Sequence, residues 1–404
     1  MKLVFCSSVY NMNDYDHLCQ RSKGTLSLAD HNLNFNIIIG LDEAMGAPIS
    51  LINNVQIPSY PQYPKVFFRK QRWQHTDGAA DYNCGFINLP VLKHISRAFT
   101  TFWGIQKAVK SAGDEDVCIM TYDVRLGIAI AISLARKVFS NVRTCIVLPD
   151  IPTEVLAAST GGKITLKAKL WAKLKMRFIR RFDSYVFVTE SMKEIVDVTQ
   201  KPYTVVEGIY NNHTPPLPEK TTDKKVIFYS GQLNPAYGME NLIDAFIAIY
   251  EHNRNYEFWV CGGGRLAQRI SALAKECPGI KYFGYVGPEK VRQLQAQASV
   301  LVNPRQNIGG LTKFSFPSKT MEYLASGRPV VGYKLDGIPD EYDQYIQYVP
   351  DNSIGALYDK LIEVCEMSSE VTRAMGEKSR TFILEKKNPR SQCTRIVDVI
   401  KQLS

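Results

Sequence analysis

Residues 301–332 decide the fold: LVNPRQNIGGLTKFSFPSKTMEYLASGRPVVG. The stretch reads strand, loop, helix, strand. Residues 300–303 form a short apolar strand, and Ile308-Gly309-Gly310 is a flexible turn. Pro317-Ser318 open a helix, because proline fits the first helical turn and serine offers a cap. Gly327 closes that helix, and Pro329-Val330-Val331 lead into the next buried strand. A glycine turn that delivers free backbone N–H groups to a helix N-terminus makes an anion site. Lys319, in the first turn, adds a full charge. The arrangement calls for a phosphate or diphosphate ligand.

Working outward, the same alternation covers the whole second half. A strand at 226–230 is followed by helix 239–252, strand 256–261, helix 265–276, strand 280–283 and helix 288–297. Continuous apolar strands between helices make a parallel sheet covered on both faces. Ligands of such sheets sit at the carboxyl ends of the strands. The turns there read SGQLNPAYG, CGGGR, GYVGPEK and NPRQNIGG, so glycine, arginine and lysine recur where a phosphorylated ligand needs close backbone approach.

The first half repeats the pattern. Strands are expected near 2–6, 117–121, 143–148, 184–188 and 203–206, and helices near 23–40, 94–112, 124–138, 163–182 and 190–198. Residues 41–93 hold Pro48, Pro58, Pro61, Pro64 and clustered aromatics, which predicts short strands and loops. Residues 207–225, EGIYNNHTPPLPEKTTDKK, lack periodicity and read as a linker. At 404 residues two domains are expected: a first domain over 1–205, a second, carrying the phosphate turns, over 206–389, and a last helix, 390–404, that can cross back to the first. The fold class is α/β, with two Rossmann-like doubly wound domains facing a central cleft.

Composition narrows the setting. With 45% hydrophobic and 22% charged residues the chain is globular. No run of 18 apolar residues suits a membrane span, and MKLVFCSSVY reads as a first strand rather than a leader. Nine scattered cysteines without a Cys-x-x-Cys fit a reducing compartment. The net charge of +10 is uneven: 25 Lys/Arg against 17 Asp/Glu in 1–205, 24 against 22 beyond. Residues 163–181, KITLKAKLWAKLKMRFIRR, hold eight bases and no acid. They read as an amphipathic helix with Ile164, Ala168, Trp171, Leu174 and Phe178 on one side. Attachment to an anionic membrane leaflet is one reading; packing of the apolar stripe with a solvated basic face is the other. Nucleic acid is not expected, for want of interleaved stacking aromatics.

These residues carry a resemblance. SGQLNPAYGMENLIDAF, VCGGGR, YFGYVGPEKV, ASVLVNPR and FSFPSKTMEYLASGRPVV, in that order, resemble the nucleotide-binding domain of family 4 (group 1) glycosyltransferases of the GT-B fold, in an SFPSK-type subgroup. VLPDIPTEV and FDSYVFVTESMKE resemble the acceptor domain more loosely. The resemblance implies a retaining, metal-independent hexosyl transfer from a nucleotide-diphosphate sugar, UDP being the family's commonest base, to a glycan or lipid-linked acceptor of cell-surface polysaccharide synthesis. It implies no cofactor beyond that donor. The place would be cytoplasmic, on the inner face of the cell membrane. Glu322 matches the glutamate that binds donor ribose hydroxyls. Gly309, Gly310 and the N–H groups through Ser315 match the loop that holds the donor sugar and distal phosphate, beside Ser318. Lys319 and Arg305 are the best cations for the diphosphate. Gly231, Gln232, Gly263 and Arg265 lie on the neighbouring turns, and Tyr285 and Val286 lie where the base is framed. Asp150, after the strand 143–148, occupies the slot of a catalytic histidine or aspartate; as a plain residue it could equally cap a turn before proline. The polar residues 11–16 would line the acceptor side.

The chain also departs from the family. Phe314 stands where many members carry a second glutamate, and Gln232 and Tyr237 stand where many carry arginine and lysine. Arg265, Arg305, Lys313 and Lys319 would then have to balance the diphosphate. These gaps keep two alternatives open: a catalytically weak sugar-nucleotide-binding partner subunit, or a GT-B sugar-nucleotide epimerase. The acidic triplet 114–116 reads as a solvated turn, no metal site is expected, and His17, His31, His75 and His94 read as surface or packing residues.

Overall fold

The computed structural model describes residues 1–404 except 24, 25, 27, 153–164, 199, 212–214, 216, 219, 309, 311 and 404, and except the side chain of residue 29. The chain divides into two compact units. Unit one is Met1–Ile209 together with Asn388–Ser404, and unit two is Tyr210–Lys387.

The strands of unit one are β1 (Lys2–Cys6), β2 (Ser50–Asn53), β3 (Phe67–Phe68), β4 (Gln71–Trp73), β5 (Asp81–Asn83), β6 (Phe86–Ile87), β7 (Val117–Tyr122), β8 (Val142–Leu148), β9 (Ser184–Phe187) and β10 (Tyr203–Val205). One sheet runs β10-β9-β8-β7-β1-β2-β5-β4. Its pairs are parallel except β4 with β5. Lys2 stands opposite Val117 and Cys6 opposite Thr121. Every residue of β7 is buried, as expected for a central strand with helices on both faces. β3 and β6 form a small antiparallel pair.

The helix expected over 23–40 is Leu28–Met45, and a separate helix, Met12–Arg21, precedes it. Asn11 caps the first, its side chain accepting from the Asn13 N–H at 3.1 Å, so this polar segment is a capped helix and not an open loop. The next helix, Pro90–Ala112, starts four residues before the expected 94, with proline in its first turn. The last helix, Pro389–Lys401, packs on Leu28–Met45: a side-chain carbon added at Gly40 would come within 2.4 Å of the Pro389 carbonyl oxygen. Ile396 and Ile400 share the core of Phe5, Ile37 and Met120.

Unit two contains β11 (Lys225–Ser230), β12 (Tyr256–Cys261), β13 (Ile280–Tyr282), β14 (Val300–Asn303), β15 (Val330–Gly332) and β16 (Gln347–Tyr348). They form one wholly parallel sheet in the order β13-β12-β11-β14-β15-β16. The order reverses between β11 and β14, which is the switch point where doubly wound sheets take ligands. Both units are thus doubly wound α/β folds of Rossmann type. The Tyr323 hydroxyl, fully buried, accepts from the Ser230 N–H at 2.8 Å and lies 3.2 Å from the Ser230 carbonyl oxygen, which fixes the helix Ser318–Ala325 over that switch point.

Candidate functional site

The carboxyl-end turns of unit two are knitted together by backbone. After β11, the Gly231 N–H donates to the Cys261 carbonyl and the Leu233 N–H to the Gly263 carbonyl, each at 3.0 Å. The Leu266 N–H returns to the Leu233 carbonyl at 3.0 Å. Gly262 has φ +133°, and a side-chain carbon there would sit 1.9 Å from the Gly231 oxygen. The triple glycine is therefore first a packing requirement between two turns. Gly263 itself is exposed with nothing within 4 Å of an added carbon, which leaves it open to a ligand. Gly238, at φ +73°, brings the same turn against the Pro304 carbonyl after β14, where an added carbon would lie 1.9 Å away.

Arg305 lies at the centre of this arrangement. Its guanidinium donates to Ser315 Oγ at 3.2 Å and stands 5.6 Å from the centroid of the Tyr237 ring. Tyr237, where a lysine is common in the family, thus becomes a platform for Arg305. Phe314 is buried, 5% exposed, in a short 3-10 helix Thr312–Phe314. The loop is pinned further by Asn307, whose amide donates to Asp336 at 2.6 Å and whose oxygen accepts from the Thr312 hydroxyl.

The helix Ser318–Ala325 differs from its expected start. Pro317 is the N-cap, Ser318 is the first helical residue, and no side chain caps the end. Proline has no side-chain acceptor to offer, so the leading N–H groups are left for solvent or ligand. The Ser315 N–H is already used, donating to the Thr312 carbonyl at 3.3 Å. Lys319 and Glu322 pair with each other at 2.6 Å, both more than 40% exposed. Such a surface pair contributes about 0–1 kcal/mol, so exchanging it for a ligand costs little. Tyr285 is 91% exposed, whereas Val286 packs against the core. Arg265, Gln232 and Gly310 are exposed, Gly310 with φ +66°. Gly309 lies outside the described residues.

In unit one, Asp150 follows β8 in an exposed turn. Loss of solvent around its carboxyl, followed by the charges of Asp30 and Asp123, pushes its pKa up to about 6. Three carboxyls from distant segments therefore gather at this edge. Asp123 follows β7 in a left-handed conformation, φ 61°, its carboxylate accepting from the next N–H at 2.6 Å. Asp30 sits in the first turn of Leu28–Met45. Nothing in their spacing marked them as neighbours; only Asp150 stood at a recognisable strand end.

His75, expected to lack functional partners, is the centre of a buried ion network. Its Nδ1 meets Asp81 at 2.6 Å and its Nε2 meets Asp42 at 2.8 Å, with the ring fully buried. Burial lowers its pKa, but the two carboxylates outweigh that and raise it to about 9. Asp81 also accepts from the Leu51 N–H at 2.9 Å and Asp42 from the Ile49 N–H at 2.8 Å, so the charged ring ties β5 and Leu28–Met45 to β2. The role is structural.

The basic helix spans Leu166–Ile179, and the part of the expected segment before 165 lies outside the described residues. Its buried stripe is Ala172, Met176 and Ile179, so of the two readings the one that packs the Trp171–Leu174 side is not what the helix does. Leu166 (74% exposed), Leu170, Trp171 and Leu174 face outward among Lys167, Lys169, Lys173 and Arg177. A second exposed apolar row, Val91, Ile95, Phe99 and Trp103, runs along Pro90–Ala112 at four-residue spacing. Sequence reasoning missed it, although the i, i+4 repeat is legible there.

Residues 224–367 match the sequence profile of the family described as Glycosyl transferases group 1. No curated protein sequence matches the chain. Among solved structures it is similar to sucrose-phosphate synthase from Thermosynechococcus elongatus (14% identity, 100% of this chain and 99% of that one, TM-score 0.61). It is similar to Anabaena HepE in complex with UDP (14%, 100% of both chains, 0.59). It is also similar to a trehalose-6-phosphate synthase studied with bisubstrate glycomimetics of glycosyltransfer with retention (11%, 100% of both chains, 0.66). The fold is thus that of the two-domain GT-B glycosyltransferases, and the stretch that matches the group 1 glycosyltransferase profile lies in unit two.

Proposed function

We propose that the chain is a retaining glycosyltransferase that moves a sugar from a nucleotide-diphosphate sugar, with UDP as the first base to test, to a hydroxyl of a glycan or lipid-linked acceptor. The observation that carries the reading is a coincidence: the glycosyltransferase match covers 224–367, and inside it lie the uncapped helix start at Ser318, the Lys319–Glu322 pair and the Arg305 guanidinium.

Diphosphate departure places charge on phosphate oxygens. Fixed N–H dipoles at Ser318 and Lys319, the Lys319 ammonium and Arg305 meet that charge, and they stabilise it more in the transition state than in the ground state. Protein groups rather than a metal would do this. Glu322, released from Lys319 when the phosphate takes the lysine, accepts hydroxyl protons of the donor ribose. Asp150 orients the acceptor hydroxyl, and the leaving phosphate takes its proton in front-face attack.

The exposed leucines and Trp171 among lysines on Leu166–Ile179, and the apolar row on Pro90–Ala112, support peripheral attachment to an anionic membrane. Among the described residues no helix is long and apolar enough to cross a membrane.

The test is release of nucleotide from a panel of nucleotide sugars, with and without candidate acceptors and anionic vesicles. Turnover that needs an acceptor supports transfer. Turnover of donor without any acceptor points to the epimerase. Binding without turnover, for which the buried Phe314 gives a reason, points to the partner subunit.

A further inference from the structure

Unit one holds a concentration of charge that the reading above leaves unused. Lys93 and Arg97, on Pro90–Ala112, and Arg125, at the N-cap of Leu126–Val138, line a cavity of about 390 Å³ with Trp171 on another wall. Lys93 donates to the Ile57 carbonyl. Arg97 donates to the Val55 carbonyl and stacks 4.1 Å from the centroid of Phe86. Arg125 donates to the side-chain oxygen of Gln56 at 2.7 Å. Every one of these acceptors is neutral. Among the described residues no carboxylate stands within ion-pair distance of the three, and the buried Nε atoms of Arg97 and Arg125 have no acceptor.

Cations gathered this way oppose one another. Burial, then Arg97 and Arg125, lower Lys93 to about 7; burial, then Arg125, lower Arg97 to about 9. Uncompensated charge of this kind destabilises a fold unless something answers it. A second donor set points into the same cavity. Leu126–Val138 begins with no side-chain cap, and Leu126, Gly127 and Ile128 of its first turn line the cavity. Gly127 lets the helices cross closely, since an added carbon would lie 2.9 Å from the His94 carbonyl; that crossing sets the helix start beside Lys93 and Arg97. Guanidinium N–H, ammonium and helix-start N–H groups converging on one volume are the donor chemistry of a phosphate site. Asp30 and Asp123 also line the cavity and offer acceptors to hydroxyls of the same ligand.

We propose that this cavity is an anion site in unit one that binds the phosphate or diphosphate group of a phosphorylated ligand. The assignment stands on unit one alone; reading the ligand as a phosphorylated acceptor rests on the glycosyl-transfer proposal.

The test titrates inorganic pyrophosphate into the full chain, into Lys93→Gln and Arg125→Gln, and into Arg305→Gln as the unit-two control, with circular dichroism to verify folding. The expected result is a binding component that either unit-one variant weakens at least about tenfold and Arg305→Gln leaves in place. Arg125→Lys, which keeps the charge, should retain most of it. Absence of binding to the native chain, equal affinity in both unit-one variants, or loss only in Arg305→Gln would each overturn the site. Competition by a hexose phosphate and by a short-chain prenyl phosphate in micelles distinguishes a soluble source from a lipid one, and failure of both to displace pyrophosphate also overturns it. Pyrophosphate binding that survives while nucleotide-sugar turnover fails would remove the transfer reading and leave this site.

Discussion

The carboxyl-end edges of the two units are built on different principles. In unit two, turns are joined N–H to carbonyl, glycines allow the close approach, and the ligand-facing groups are largely backbone. In unit one the edge is made of side chains: Asp30 and Asp123 line one cavity with Lys93, Arg97 and Arg125, and Asp150 feels the charges of both aspartates. A backbone-built site needs a short contiguous sequence, so it tolerates drift elsewhere. A side-chain-built site can take any acceptor chemistry, and it changes with single substitutions.

That contrast can be broken by mutation. Asp150→Asn should reduce turnover by roughly 100-fold, the scale for losing the positioning of a reacting group, while donor affinity stays unchanged. A fall in donor affinity alone would move Asp150 out of acceptor chemistry. Because its carboxyl titrates at about 6, the rate carried by the ionised form should decline as pH falls through that value. A rate flat from pH 5 to 8 would contradict this.

His75→Leu tests whether the first unit depends on side chains for its stability too. Breaking the ring between Asp42 and Asp81 should cost about 3 kcal/mol in denaturant unfolding. The sign for the native protein follows from a folded pKa raised above the ordinary histidine value. The stabilisation is fully present below about pH 6.5 and is lost as pH rises through about 9. Equal stability of native and variant chains at pH 6 would show that the ring contributes nothing.

Glu322→Ala and Lys319→Ala should each weaken nucleotide-sugar binding about 10- to 100-fold, the range for hydrogen bonds to a charged group, with the melting point unchanged because the pair is exposed. Unchanged affinity in both would remove the donor assignment. A smaller effect, about two- to fivefold on partition to anionic vesicles, is expected for Leu170→Ser, since one exposed leucine buries roughly 1 kcal/mol of apolar surface. Arg265→Ala, at an exposed turn, should change donor affinity least, by less than about threefold.

The same contrast explains what the sequence could reveal. β11, β12 and β14 and the turns after them were legible, because apolar runs bounded by glycine and proline encode parallel strands locally. The strands β2 to β6 were not, since two- to four-residue strands carry no periodicity and their pairing depends on partners such as Asp81 and His75. For Leu166–Ile179 the sequence left open whether the Trp171–Leu174 side packs or stays outside, because leucine is apolar whether it faces core or solvent; only packing tells the buried Ala172–Met176 stripe from the exposed one. Glu322 and Lys319 were readable as neighbours at i, i+3, whereas the meeting of Asp30, Asp123 and Asp150 depends on the sheet order.

The closing helix, Pro389–Lys401, fills the core that Phe5 and Ile37 begin. During synthesis the amino-terminal half therefore waits, incomplete, until Pro389–Lys401 has left the ribosome. Unit two has every strand it needs earlier, and its ends already meet, the Tyr210 N–H donating to the Lys387 carbonyl at 2.8 Å. The part encoded second should be the part that matures first, and a chain stopped after Lys387 should yield a folded cassette attached to an unfinished partner.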